Sequence, residues 1–202
     1  MAEPDPVMMF SDYACPWCYL GYARLAQALD GRESQLLPFP LSPDTPPEGR
    51  DAVAYLRAKG IDLDAALARL LPLMEAAGLE YPDSLEGRRQ YNTSRAQELA
   101  LWAAEHGTPA QLEALHQRLF RAYQVENLDV YDLEVLAGLC AELGLDAHAA
   151  RAALEAGDYR AAREAAWRGA TRAGVRGVPT YVAKGRGVVG AQPVEVLREL
   201  IA

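Results

Sequence analysis

Two cysteines two residues apart, Cys15-Pro16-Trp17-Cys18, are the part of this 202-residue chain best suited to chemistry. That spacing lets the sulfurs close a small ring, so the pair could cycle between a dithiol and a disulfide. A thiol reacts only once ionised, and a helix N-terminus favours the thiolate because its unpaired N–H groups and dipole attract negative charge. Cys15 follows a strand-like run and precedes Pro16, a residue suited to a first helical turn. It should therefore fall at the N-cap or first turn, with its sulfur open to solvent. Cys18 then lies one turn further in, on the face the helix buries. Cys15 is the expected nucleophile and Cys18 the resolving thiol. Trp17, between them, is expected at the surface as a substrate contact.

Other side chains compete less well for a chemical role. A single C-x-x-C is also half a zinc site, but neither Cys140 nor any of the three histidines sits at a spacing that completes one, so no metal is expected. Cys140 falls in the helical series Leu133, Leu136, Cys140, Leu143 and reads as core. His106, His116 and His148 are given no catalytic role, the last two lying among polar or small neighbours. Asp12 could relay protons to Cys18 or simply hydrogen-bond the turn, the second being the simpler reading. Asn92-Thr93-Ser94 has the form of a glycosylation sequon but reads better as a helix start, Ser94 and Gln97 making a capping box.

The elements that would position the pair can be read from periodicity. Val7 to Phe10 is a short strand leading into the cysteine turn, the helix after it runs to Gly31, and Gln35 to Leu41 is a second, edge-like strand. After the turn-rich Ser42 to Glu48 the middle reads as all-α: 51–59, a stretch capped by Asp62 that contains Pro72, one ending at Gly107, then 109–124, 131–143, 147–156 and 158–173. Val178 to Ala183 is strand-like, Lys184-Gly185-Arg186-Gly187 a hairpin turn, Val188-Val189 the return strand and 193–201 a last helix. Strands at both ends imply one α/β domain interrupted by a helical insertion with a smaller core of its own.

Composition narrows the partners. A net charge of −8 offers no basic patch for nucleic acid or an anionic membrane, and no stretch approaches the ~20 apolar residues of a membrane span. The first ten residues carry no Lys or Arg and too short an apolar run for a signal peptide, so a reducing cytoplasm is expected.

The segment Phe10-Ser-Asp-Tyr-Ala-Cys-Pro-Trp-Cys-Tyr-Leu-Gly21 resembles the active-site segment of the FrnE-like branch of the DsbA family. Pro38 to Pro43, Pro46 to Gly49, Asn92 to Ala96, Gly174 to Thr180 and Gly190 to Pro193 extend the resemblance in family order over nearly the whole chain. It implies an α/β thioredoxin-like fold with a large all-helical insertion: a discontinuous core of 1–45 and 174–202, and an insertion of 46–173 whose last helix packs back on that core. It also implies that Val178-Pro179 is the cis-proline loop which, with Pro16, Trp17 and Asn92, meets substrate, and that Gly190 to Gln192 borders the cleft. The activity implied is protein disulfide oxidoreduction on a protein disulfide or a low-molecular-weight thiol, with no cofactor beyond glutathione as co-substrate, by a monomer or homodimer. The alternative is a glutathione-dependent isomerase or transferase of the kappa-class or hydroxychromene-carboxylate isomerase type. Those relatives usually carry Ser where Cys15 stands and lack the second cysteine. Some family members have a further cysteine pair towards the C-terminus; this chain has none.

Overall fold

The computed structural model describes residues 6–202, so residues 1–5 of the expected N-terminal core segment lie outside the described residues. In chain order the elements are β1 (Val7–Ser11), α1 (Pro16–Leu29), β2 (Ser34–Pro38), β3 (Arg50–Asp51), α2 (Ala52–Ala58), α3 (Leu63–Ala76), β4 (Arg89–Gln90) and α4 (Ser94–His106). They continue as α5 (Pro109–Gln124), α6 (Leu133–Glu142), α7 (Ala147–Ala156), α8 (Arg160–Arg172), β5 (Thr180–Ala183), β6 (Arg186–Val189) and α9 (Val194–Ile201).

Four strands form one sheet in the order β2-β1-β5-β6. β1 pairs parallel with β2 from Val7↔Ser34 to Ser11↔Pro38, and antiparallel with β5, where Met9 faces Tyr181. This β-α-β unit joined to a β-β-α unit across the sheet is the thioredoxin-like arrangement that the resemblance implied. β1 is buried except for the half-buried Met8, as befits a central strand covered on both faces. α9 packs on α1 and on β5 and β6, while α8 lies against β2 and α4. A buried ion pair at 2.5 Å, from Arg163 on α8 to Glu98 on α4, ties those two helices together.

The helices between β2 and β5 share the core of the sheet layer rather than closing a second one. Met9, Leu20, Tyr181 and Leu197 belong to the same continuous buried cluster as Met74, Leu99, Leu119 and Leu136. Its aromatic centre is Tyr13, Tyr22, His116 and Phe120, with ring centroids 5.0 to 6.3 Å apart. His116 thus sits among aromatic rings, not the small and polar neighbours expected of it, and the Tyr13 hydroxyl lies 2.8 Å from its Nδ1. Burial lowers the His116 pKa from 6.5 to about 4. Cys140 is fully buried, which raises its thiol to about 11.

Several local expectations are corrected. β2 stops at Pro38, because beyond Phe39 the main chain bonds to Asp12 instead: the Leu41 N–H donates to its carboxylate at 3.0 Å. The middle is not wholly helical, since β3 and β4 form a two-residue antiparallel ladder. Ser94 and Gln97 make no capping box. Asn92 Oδ1 takes the Ser94 N–H, and the buried Gln97 amide bridges the Phe39 carbonyl and the Trp167 indole N–H. The box forms on α5, between Thr108 and Gln111. The hairpin turn is two residues long: Lys184 and Gly185 both take positive φ, the backbone whose twist suits a tight hairpin, and Arg186 and Gly187 belong to β6.

Gly21 marks where α1 crosses β5. A Cβ there would run into the Tyr181 hydroxyl and come to 3.1 Å from Pro179 Cγ. That hydroxyl is buried and has no hydrogen-bond partner among the described residues. Gly21→Ala is expected to cost about 1–3 kcal/mol by overpacking, and Tyr181→Phe to be neutral or stabilising because it removes an unsatisfied polar atom. A double-mutant cycle by chemical denaturation checks this: Gly21→Ala should cost less when combined with Tyr181→Phe than alone, and additive losses would refute the contact.

Candidate active site

The cysteine turn is built from the end of β1. Four residues separate Ser11 from α1; the Cys15 N–H donates to the Asp12 carbonyl at 3.0 Å, and Cys15 is the N-cap with Pro16 starting the helix. Asp12 holds this turn to two other segments. Its carboxylate accepts from the Ala14 N–H (3.0 Å), the Leu41 N–H (3.0 Å) and the Thr93 hydroxyl (2.7 Å), joining the turn, the chain after β2 and the start of α4. Gln124 on α5 adds a bond to the Tyr13 carbonyl at 2.6 Å. Burial raises the Asp12 pKa, opposed by the hydrogen bonds from Ala14, Thr93 and Leu41 and by the Gln97 side chain. With every one of these bonds spent on scaffolding, the carboxylate's place in the structure is that of the turn-holding group.

Cys15 and Cys18 are free thiols. Contrary to expectation Cys15 is only 5% exposed, because the chain before Pro179 folds over it: its Sγ lies 3.7 Å from the Val178 carbonyl. No backbone N–H of α1 caps its side chain. Cys18 is fully buried one turn inside. Its thiol is pushed well above the ordinary 9.0, first by burial and then by the Cys15 sulfur, while the Ser11 hydroxyl and the Asp12 backbone favour its ionised form.

The Val178–Pro179 peptide is cis. Pro179 is buried behind Val178, and its carbonyl receives the Gly190 N–H at 2.8 Å, so the segment after β6 braces the loop. Beside Cys15 opens a cavity of about 540 Å³. Pro16, Trp17 and Val178 line it; Pro179, Asn92 and the 190–192 segment do not. Asn92 spends its amide on the Thr45 carbonyl (2.6 Å) and the Ser94 N–H (2.9 Å), which makes it a brace between α4 and the loop after β2 rather than a wall residue. Trp17 is half-buried instead of exposed, packed on the core with the Arg69 guanidinium 5.7 Å above its ring.

The rest of the wall is not legible in the sequence. Tyr55 and Leu56 from α2, Leu63 and Leu67 from α3, and Tyr81 and Arg88 from the segment before β4 complete the cavity that Cys15 lines. The apolar stripe of α3 is visible in the sequence but reads there as core alone: Met74 is buried away from the cavity, whereas the half-buried Leu63 and Leu67 and the buried Leu70, nearer its N-terminus, line it. Among the described residues no group of three or more His, Cys, Asp or Glu is disposed to hold a metal ion.

This geometry, a cysteine at a helix start capped by a cis X-Pro loop on a β2-β1-β5-β6 sheet, agrees with the comparison to known proteins. Residues 6–202 match the DSBA-like thioredoxin domain. The chain belongs to that family. This DsbA-like chain is similar to SCO1869, a probable DsbA oxidoreductase from Streptomyces coelicolor, at 32% identity and a TM-score of 0.85, over 96% of this chain and 87% of that one. It is 26% identical over 203 residues to the uncharacterized protein YwbO of Bacillus subtilis (strain 168), spanning 97% of this chain and 95% of YwbO. It shares its fold with the cytosolic disulfide reductase DsbM from Pseudomonas aeruginosa, solved with GSH, at a TM-score of 0.68 and 23% identity over 96% of each chain. Family membership supports an enzyme of oxidoreductase type. Among the described residues no helix is long and apolar enough to cross a membrane.

Proposed function

We propose that this chain is a cytoplasmic thiol-disulfide oxidoreductase of the FrnE-like kind, exchanging the Cys15/Cys18 dithiol with a protein disulfide or a low-molecular-weight thiol. The observation that carries this reading is the pairing of two unlike thiols in one turn: Cys15 lining a cavity beneath the Val178 carbonyl, Cys18 fully buried one turn inside. In the reducing direction the Cys15 thiolate attacks one sulfur of the substrate disulfide and the other sulfur leaves as a thiolate. The mixed disulfide takes away the Cys15 thiol, which was one cause of the raised Cys18 pKa, so Cys18 ionises more readily at the moment it is needed. Cys18 then attacks Cys15, the second substrate thiolate departs, and the enzyme is left as the disulfide. Two electrons and two protons have passed to the substrate.

The thiols carry both electrons, so no resident metal or organic cofactor is required, and glutathione serves as a co-substrate that resets the pair. An isomerase that merely activated glutathione would have no use for a second thiol one turn inside. The test is a redox titration of the purified protein in glutathione buffers, read by thiol alkylation and by fluorescence of the adjacent Trp17. One two-electron transition involving Cys15 and Cys18 is expected. A pair that never forms a reversible disulfide, or that holds stoichiometric zinc, would refute the proposal.

A further inference from the structure

The cavity beside Cys15 is cationic in a chain whose net charge is −8. Its wall includes Lys59, Arg88 and Arg89 and contains no Asp or Glu. Arg88 is half-buried and gives its guanidinium to three main-chain carbonyls, those of Tyr123, Gln124 and Val125, at 2.8 to 3.2 Å. Arg89 does the same with the carbonyls of Glu48 and Gly49, its shortest bonds being 2.8 and 2.9 Å. The arginines elsewhere that face carboxylates pair with them, as Arg50 does with Asp44 and Arg118 with Glu126 and Glu142, but among the described residues none of the three cavity cations forms such a pair. Neutral carbonyls fix a guanidinium in place without cancelling its charge, so the half-buried Arg88, flanked on the same wall by the exposed Arg89 and Lys59, favours an anionic ligand.

The wall that carries these cations and Cys15 also carries an apolar surface, Leu63, Leu67 and Leu70 from one helix. Tyr81 lies close enough to both Cys15 and Arg88 for each charge to act on its hydroxyl, so sulfur and cation belong to one continuous site. We propose that the small-molecule partner of this site is an amphipathic anionic thiol or disulfide, its sulfur at Cys15, its hydrocarbon body on the leucines and its carboxylate or other anionic end on Arg88, Arg89 and Lys59. The proposal rests on the exchange activity above and names its substrate class. With a dithiol donor, one substrate thiolate attacks Cys15 of the oxidised pair and Cys18 leaves as a thiolate that takes up a proton. The second substrate thiolate then attacks the substrate sulfur of the mixed disulfide and releases Cys15, so the donor becomes the disulfide and the pair is reduced.

Dihydrolipoate and dihydrolipoamide test this directly, since they share the dithiol and the methylene chain and differ only in a carboxylate against a neutral amide. Reduction of the oxidised enzyme is followed by Trp17 fluorescence, with dithiothreitol as a reference dithiol lacking both chain and charge. The expected result is a second-order rate constant at least tenfold higher for dihydrolipoate than for dihydrolipoamide. That ratio should shrink as salt is raised from 20 mM to 500 mM and should narrow in Lys59→Gln and in Arg89→Gln. Because the ratio is taken within each variant, a general loss of folded protein cancels. Equal rates for the two probes, with dithiothreitol still reducing the pair, would overturn the proposal and leave the exchange reading intact. A pair that none of the three dithiols reduces would overturn both.

Discussion

Replacing Cys15 with Ser is expected to abolish reduction of insulin disulfides, lowering the rate by roughly 10³-fold or more, since no other group in the cavity can attack sulfur. Cys18→Ser should behave differently. Cys15 still attacks, but the mixed disulfide has no internal thiol to resolve it, so covalent adducts accumulate and turnover falls to the rate at which an external thiol can enter. Non-reducing gels and intact mass of the two variants separate the roles, adducts being expected in the Cys18 variant alone. If adducts formed on the Cys15 variant, the assignment of attacking and resolving thiols would be reversed; if both variants kept wild-type turnover, the cavity would serve some other chemistry. Cys140→Ser should leave exchange unchanged, because that thiol is buried far from solvent access with its ionisation disfavoured.

A loss of about 3 kcal/mol of stability between pH 6.5 and pH 4 is expected from His116 alone. Burial among Tyr13, Tyr22 and Phe120 holds its folded pKa at about 4 against an ordinary 6.5. A histidine whose folded pKa is depressed stays neutral in the fold while the unfolded chain takes up a proton. Its stabilising effect is therefore complete above pH 6.5 and disappears as pH falls through 4. Asp12 acts with the opposite sign: its raised folded pKa stabilises the fold below the unfolded value of 3.8, and this is lost as pH rises through the folded value. Comparison with His116→Gln, which keeps an acceptor for the Tyr13 hydroxyl, isolates the histidine. Urea unfolding from pH 4 to 8 should show the wild type losing its advantage over the variant as pH drops, and parallel pH profiles would rule the mechanism out.

Such acid sensitivity bears on function through position. Tyr13 is bonded to His116 through its hydroxyl and to Gln124 through its carbonyl, and the next residues are Ala14 and Cys15. The core that titrates is thus the core that supports the cysteine turn.

How far the sequence could be read follows from the range of the forces involved. The helix start at Pro16, the cap role of Asp62, the strand before the cysteines and the burial of Cys18 and Cys140 depend on neighbours within a turn or two, and periodicity records these. A capping box is equally legible at Ser94 with Gln97 and at Thr108 with Gln111, because both sites carry a hydroxyl residue followed three positions later by Gln, yet only the second forms. What decides between them is the burial of Gln97 against Phe39 and Trp167, a tertiary fact.

The cysteine pair by itself determined the chemistry available to this chain, two thiols one turn apart at a helix start, because that outcome needs only residue types and local backbone preference. Only the tertiary structure decided what the pair can meet. The Val178 carbonyl that covers Cys15 comes from a residue 163 positions away. The leucines of α3, the tyrosines at 55 and 81 and the cations at 59, 88 and 89 line the same cavity as Cys15. Neither hydrophobic period nor charge count distinguishes a leucine that fills a core from one that walls a cavity, or an arginine bound to main-chain carbonyls from one bound to a carboxylate. That distinction arises only when distant segments pack.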